Sequence, residues 1–295
     1  MDIYKQRFFN FLKFEKRYSE HTITAYTLEI ERFQAFLEAE GIAFEEVDYR
    51  VVRQFLSEMK ENGRQASSIN RSMSSLRSFY KFLVRENVVT SSPMQLVRAL
   101  KTPKRLPVVI DPQKMVNLLD QTERDLTSFE QAREFLVLEL LFGTGIRLAE
   151  LLAIQERDID FYNKRILIFG KRNKERLVPV HQTLLAEIKR YLVLKHAQDF
   201  KTHSTYLIVA KEGKQASRGM IQRIVKHWLG QITSQKKRSP HVLRHSFATA
   251  LLNNGADLNA IKELLGHAGL AATQVYTHNS VERLKSIYKQ AHPKA

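Results

Sequence analysis

Three short stretches gather side chains suited to holding an anion. In HVLRH, His241 and Arg244 are one helical turn apart, and positions i and i+3 share a helical face. Ser239 and Pro240 just before them are good starting residues for a helix, whose first turn would add unbonded N–H groups and a partial positive charge. In GTGIRLAEL, Arg147 follows a glycine turn, and Glu150 three residues later can hold its guanidinium. Lys171 sits in the polar turn GKRNKER, where Arg172, Lys174 and Arg176 surround it with like charge. His267 and Tyr276 follow in GHAGLAATQVYTHNS. A tyrosine hydroxyl has an unperturbed pKa near about 10, so it attacks at neutral pH only while a neighbour takes its proton. Zinc is a poor occupant for His241 and His245, because no glutamate stands in an HExxH position, there is no cysteine, and an arginine lies between them.

The periodicity supplies the elements that must position these groups. Residues 22–39 place Tyr26, Ile30, Phe33 and Leu37 on one helical stripe, and residues 66–85 do the same with Ile69, Met73, Leu76, Tyr80 and Leu83. On the second of these helices Ser67, Arg71, Ser74 and Ser75 are read as a DNA-backbone face, since short hydroxyls and a forked guanidinium suit phosphate oxygens. Further helical patterns at 3–16 and 48–61 complete an N-terminal bundle of four or five helices. The stretch ALKTPKRLPVVIDP, with three of the seven prolines and three basic residues, reads as an extended linker. Beyond it the pattern is mainly helical. RILIF and RLVPV form a hairpin there, and YLIVA (206–210) is expected as a third strand. Asp257 and Gly266 bracket a late helix.

The formal charge of +16 is unevenly spread: residues 1–100 hold 15 Lys and Arg against 13 Asp and Glu, whereas residues 101–295 hold 32 against 18. A surplus of that size on one part of the chain points to a nucleic-acid partner. The absence of cysteine excludes disulfides, thiolate metal sites and cysteine nucleophiles. Charges run through the aromatic N-terminus and no long apolar run follows, so neither a secretory signal nor a membrane span is expected, and a cytoplasmic location is.

The order Arg147, Lys171, His241-x-x-Arg244, His267, Tyr276, in these local contexts, resembles the tyrosine site-specific recombinases of the phage-integrase family, and especially the Xer (XerC/XerD-like) subgroup. The resemblance covers nearly the whole chain. It implies a core-binding, SAM-like helical domain over 1–98, a linker over 99–107 and a catalytic domain over 108–295, the two domains closing as a clamp around DNA. It also implies that Tyr276 is the nucleophile, that His241 relays its proton, that His267 donates to the phosphate oxygens and that Lys171 is the general acid for the leaving 5′-oxygen. Glu150 supports Arg147, and Arg172, Lys174 and Arg176 are expected to contact DNA. No metal and no other cofactor is expected.

The implied partners are a double-stranded recombination site and a tetramer of this chain, alone or with a sister recombinase; a septal DNA translocase is a candidate activator. The terminal stripe Val281, Leu284 and Tyr288 either docks into a neighbouring protomer, as the family suggests, or folds onto its own domain. Ala149 stands where the family often has Ser or Thr, and Arg172 where it often has Gly. A mobile-element integrase, a type IB topoisomerase and a non-catalytic DNA-binding protein of the same fold are the alternatives.

Overall fold

The computed structural model describes residues 2–103, 108–120, 127–170, 175–202, 204–266 and 286–294. The chain divides into two compact units, Met1–Arg105 and Leu106–Ala295. In the first, α1 (Asp2–Asn10) runs into one π-helical turn (Phe11–Glu15), followed by α2 (Glu20–Glu40), α3 (Tyr49–Glu61) and α4 (Ala66–Arg85). Ser19 caps α2 by accepting from the Thr22 N–H, and Asp48 caps α3 through the Arg50 and Val51 N–H groups. The core is strongly aromatic. Phe8, Phe33, Phe55, Phe79 and Tyr80 are all buried, with Phe33 and Phe55 packed edge-on at 4.9 Å and Phe8 and Phe79 at 5.2 Å.

Helix α4 is the centre of this unit and is buried on more than its apolar stripe. Ser72 and Ser75 lie inside along with Ile69, Met73, Leu76, Tyr80 and Leu83. Ser75 is therefore not on a DNA-facing surface. A small buried serine and an exposed phosphate-binding one look alike in a periodicity pattern. Ser67, Arg71 and Ser74 are exposed. Beside them Asn70 receives a bond from the Leu100 N–H at 2.8 Å and gives one to the Leu100 carbonyl at 2.9 Å, so the segment leaving the unit runs along this helix.

The second unit is built round α6 (Phe129–Thr144), whose residues 135–144 are all buried. A helix that is apolar all round must be enclosed. It is packed by α5 (Pro112–Leu119), α7 (Leu148–Ala153), α8 (Gln182–His196), α9 (Arg218–Ile232) and α10 (Pro240–Asn253). An antiparallel sheet of β1 (Ile159–Asp160), β2 (Arg165–Phe169) and β3 (Glu175–Pro179) flanks this bundle, with Ile166 opposite Val178 and Ile168 opposite Arg176. The third strand is thus β1. The 206–210 run contributes only isolated bridges, Gln155 with Tyr206 and Val209 with Gln215. Its three central residues, Leu207, Ile208 and Val209, are all buried, and its backbone bonds go to Ile154, Lys214 and Ala216 instead of to a ladder.

Helix α11 (Leu258–Leu265) begins at an Asp257 cap and ends at Gly266 in the left-handed conformation. The helical turn at 286–291 lies on its own unit. Tyr288 and Ala291 are buried with Phe247, Leu251, Ile261, Leu264 and Leu265, while Val281 and Leu284 fall outside the described residues. The Tyr288 hydroxyl donates to the Gly143 carbonyl at 2.7 Å, and the Lys294 ammonium bonds both Glu139 and Asp120 at 2.9 Å. His292 stacks on Tyr288 at 4.5 Å and faces His181 at 5.0 Å.

Burial, and then the Lys294 charge, pushes His181 down to about 4; burial, and then His181, pushes His292 down to about 3. Both imidazoles are neutral in the folded unit at pH 7. Below about pH 6.5 the unfolded chain takes up protons on them while the folded one does not, so each should remove about 1.4 kcal/mol of stability per pH unit until its folded value is reached. Thermal melts from neutral toward acidic pH should show this loss, and His292→Phe, which keeps the stacking on Tyr288, should make it shallower.

Candidate active site

Two glycines set the geometry. Gly145 ends α6 with φ of 61°, and a Cβ there would lie 2.3 Å from Phe247 of α10 and 2.8 Å from Leu265 of α11. Only glycine permits both the backbone turn and this approach. Arg147, two residues on, caps α7, so it emerges where α6, α10 and the end of α11 meet. Gly266 has φ of 62°, and a Cβ on it would meet the Arg176 guanidinium at 3.1 Å.

Glu150 is the hub. Its buried carboxylate accepts from the Arg147 backbone N–H and Nη1, both at 2.8 Å, and from Arg176 Nη1 and Nη2 at 3.0 and 2.8 Å. Three arginines also bond the last carbonyls of α11: Arg176 Nε to Leu264 at 3.0 Å, Arg244 Nη2 to Leu265 at 2.7 Å and Arg147 Nη2 to Gly266 at 3.1 Å. Arg244 Nη1 donates to the Gly145 carbonyl at 2.6 Å. These carbonyls have no intrahelical partner and form the negative end of the helix dipole, so they favour the cations that bond them.

Burial raises the Glu150 carboxyl, but the bonds and charge of Arg176, followed by those of Arg147, outweigh it and leave the group below its ordinary value. Burial, and then the Arg147 charge, pushes Arg244 down to about 10, so it stays protonated at neutral pH. Three guanidiniums face one carboxylate here, and the surplus positive charge suits a phosphate.

The expected contact between Arg147 and Glu150 is present, and Arg244 lies beside the same helix end, although 97 residues separate the two arginines in sequence. Arg147 and Arg244 are half-buried, and His241 is exposed in the first turn of α10. Lys171, Arg172, Lys174, His267 and Tyr276 lie outside the described residues. Arg176 differs from expectation: its side chain is only 6% exposed, and it holds Glu150 instead of facing outward. Strand alternation explains this, because Arg176 shares a face with Val178, which is 1% exposed. The α11 carbonyls had no sequence signal, since every residue carries one. Among the described residues no three His, Cys, Asp or Glu side chains group as a metal site, and no helix is long and apolar enough to cross a membrane.

The chain thus has a helical N-terminal unit and a second unit that gathers an arginine pair round a buried carboxylate, an arrangement suited to holding a phosphate of a nucleic-acid backbone. The Phage integrase family model matches residues 109–283, and that of the phage integrase N-terminal SAM-like domain matches residues 6–87. The chain belongs to the phage integrase family. It is 40% identical to the tyrosine recombinase XerC of Listeria innocua over 99% of this chain and 98% of that one, and 35% identical to the tyrosine recombinase XerD of Staphylococcus haemolyticus over the full length of both. Its fold is similar to that of XerH site-specific recombinase bound to a palindromic difH substrate (TM-score 0.73, 21% identity, 96% of this chain and 83% of that one).

Removing the hub should expose its energetic weight. Glu150→Ala leaves Arg176 buried without its counter-charge and should lower the stability of the catalytic unit by about 3 kcal/mol, measured by denaturant unfolding. Adding Arg176→Met to that variant should recover part of the loss.

Proposed function

We propose that this chain is a site-specific recombinase that cuts and rejoins duplex DNA through a 3′-phosphotyrosine at Tyr276, and that it resolves chromosome dimers at cell division. The observation that carries the reading is the arginine pair. Arg147 and Arg244 come from different helices to one helix end, held over a buried Glu150–Arg176 pair. Full-length similarity to XerC and XerD recombinases supports the cellular role.

In this mechanism the Tyr276 oxygen attacks the scissile phosphorus and the bond to the deoxyribose 5′-oxygen breaks. Charge that develops on the two non-bridging oxygens is met by Arg147 and Arg244, whose planar forks fit them better than an ammonium would. His241 takes the tyrosine proton and returns it in the reverse step, and His267 donates a further hydrogen bond to the phosphate. Lys171 gives a proton to the departing 5′-oxygen. Its cationic neighbours Arg172 and Lys174 in the sequence favour that release. The phosphotyrosine bond conserves the phosphodiester energy, so rejoining by an incoming 5′-hydroxyl needs neither nucleotide hydrolysis nor a metal.

Exchange between two duplexes requires four active sites and passes through a Holliday junction, so the working form is a tetramer on two sites, of this chain alone or with a sister recombinase. The exposed Ser67, Arg71 and Ser74 of α4, together with Arg172 and Lys174, are the proposed backbone contacts. The location is cytoplasmic, and a septal DNA translocase is the proposed activator.

A nicked suicide substrate tests the chemistry. The intact protein should give a covalent protein–DNA adduct, and Tyr276→Phe should give none while still binding DNA. Absence of adduct from the intact protein, with and without a sister recombinase, would overturn the assignment in favour of a non-catalytic DNA-binding protein.

A further inference from the structure

We propose that Arg176 is a positioning residue for strand cleavage: from beneath the phosphate-facing arginines it fixes the Glu150 carboxylate and the last turn of α11, and through them Arg147 and Arg244. The inference rests on the recombinase reading and adds a residue to its machinery that does not touch DNA. All three of its guanidinium nitrogens bond groups inside the unit, with Nε on the Leu264 carbonyl and Nη1 and Nη2 on the two Glu150 oxygens. With these bonds made and its side chain only 6% exposed, it is not presented to a phosphate at the surface.

The shape of the contact matters as much as its charge. One planar fork ties three elements together: β3, on which Arg176 stands, α7, which carries Glu150, and α11, which ends at Leu264 and Leu265. Arg147 and Arg244 bond the next two carbonyls of that same helix end. A shift of the α11 terminus would therefore move the partners of both. In the sequence His267 directly follows Gly266, whose carbonyl Arg147 holds, and Lys171 lies four residues before the start of β3 at Glu175. The left-handed Gly266 allows the Arg176 guanidinium to lie against the chain at that point, since a Cβ would sit 3.1 Å from Nη1. A lysine could neutralise Glu150, but it could not span both carboxylate oxygens and the Leu264 carbonyl in one plane.

Arg176 also keeps Glu150 ionised. The groups that face this carboxylate are Arg147 of its own helix, Arg176 of β3 and, through its charge, Arg244 of α10. Burial alone would raise the Glu150 carboxyl, and Arg176 supplies the largest opposing contribution. Without Arg176 the buried acid would take up a proton at higher pH and release Arg147 from one side.

The test uses the full-length protein, with Arg176→Met, Arg176→Lys and Tyr276→Phe, on a nicked duplex carrying an imperfectly palindromic recombination site. Equilibrium binding and the single-turnover rate constant for adduct formation are measured between about pH 6 and 9. Arg176→Met should bind DNA within about 3-fold of the parent but form adduct at least about 100-fold more slowly. Its rate should fall further as pH drops, through a limb displaced upward from any shown by the parent. Arg176→Lys should recover part of the rate and move that limb back.

Rates and pH profiles equal to the parent's would overturn the inference. So would a loss of binding as large as the loss of rate, which would make Arg176 a DNA contact. If Arg176→Met shows no cooperative melt, Arg176→Lys decides, and a parental rate and profile there would overturn it. If the parent itself forms no adduct, the recombinase reading fails and takes this inference with it, whereas an active parent with unaffected Arg176 variants sinks the inference alone.

Discussion

The ion cluster at Glu150 is the constraint on which the catalytic unit depends. Arg147, Arg176 and Arg244 all come to the end of α11, and like charges this close in a partly desolvated site repel strongly. One carboxylate and three helix-end carbonyls offset part of that repulsion. The remainder is a standing positive potential, and a phosphate at the site would complete it. In the proposed mechanism this arrangement would preorganise the donors, which are held before substrate arrives, so that little reorganisation would be needed as charge develops in the transition state.

The same arrangement divides the arginines by depth. Arg147 and Arg244 remain half-buried and accessible, whereas Glu150 and Arg176 are enclosed beneath them. Glycine at 145 makes the stacking possible by letting the end of α6 meet Phe247 and Leu265 at close range. The C-terminal turn adds a second fixture close by, because Tyr288 bonds the carbonyl of Gly143, two residues ahead of Gly145. Lys294 compensates the Glu139 carboxyl that α6 buries. The tail thus supports the helix that leads into the Gly145–Arg147 turn.

Much of this was legible in the sequence, for identifiable reasons. The stripe on α4 and the Asp257 to Gly266 bracket of α11 are local patterns with one physical meaning, and they describe the folded elements. The pairing of Arg147 with Glu150 follows from helical spacing. At three places a local pattern carries two physical meanings. Ser75 resembles its exposed neighbours in type but is buried in the core of the N-terminal unit, because α4 is buried on more than its apolar stripe. Leu207 to Val209 have strand-like composition, yet tertiary contacts take their backbone bonds. Arg176 stands in a cationic run, and only its alternation with Val178 shows that it turns inward. The convergence of Arg147 with Arg244 could not be read from spacing at all, since it depends on how α10 and α11 pack against α6.

A crystal structure of Tyr276→Phe bound to a duplex recombination site bears most directly on this account. Arg147 and Arg244 should both bond non-bridging oxygens of one phosphate, the scissile one, with the Glu150–Arg176 pair unbroken behind them. Arginines that engage different phosphates, or a Glu150 released from Arg176 in the complex, would contradict it.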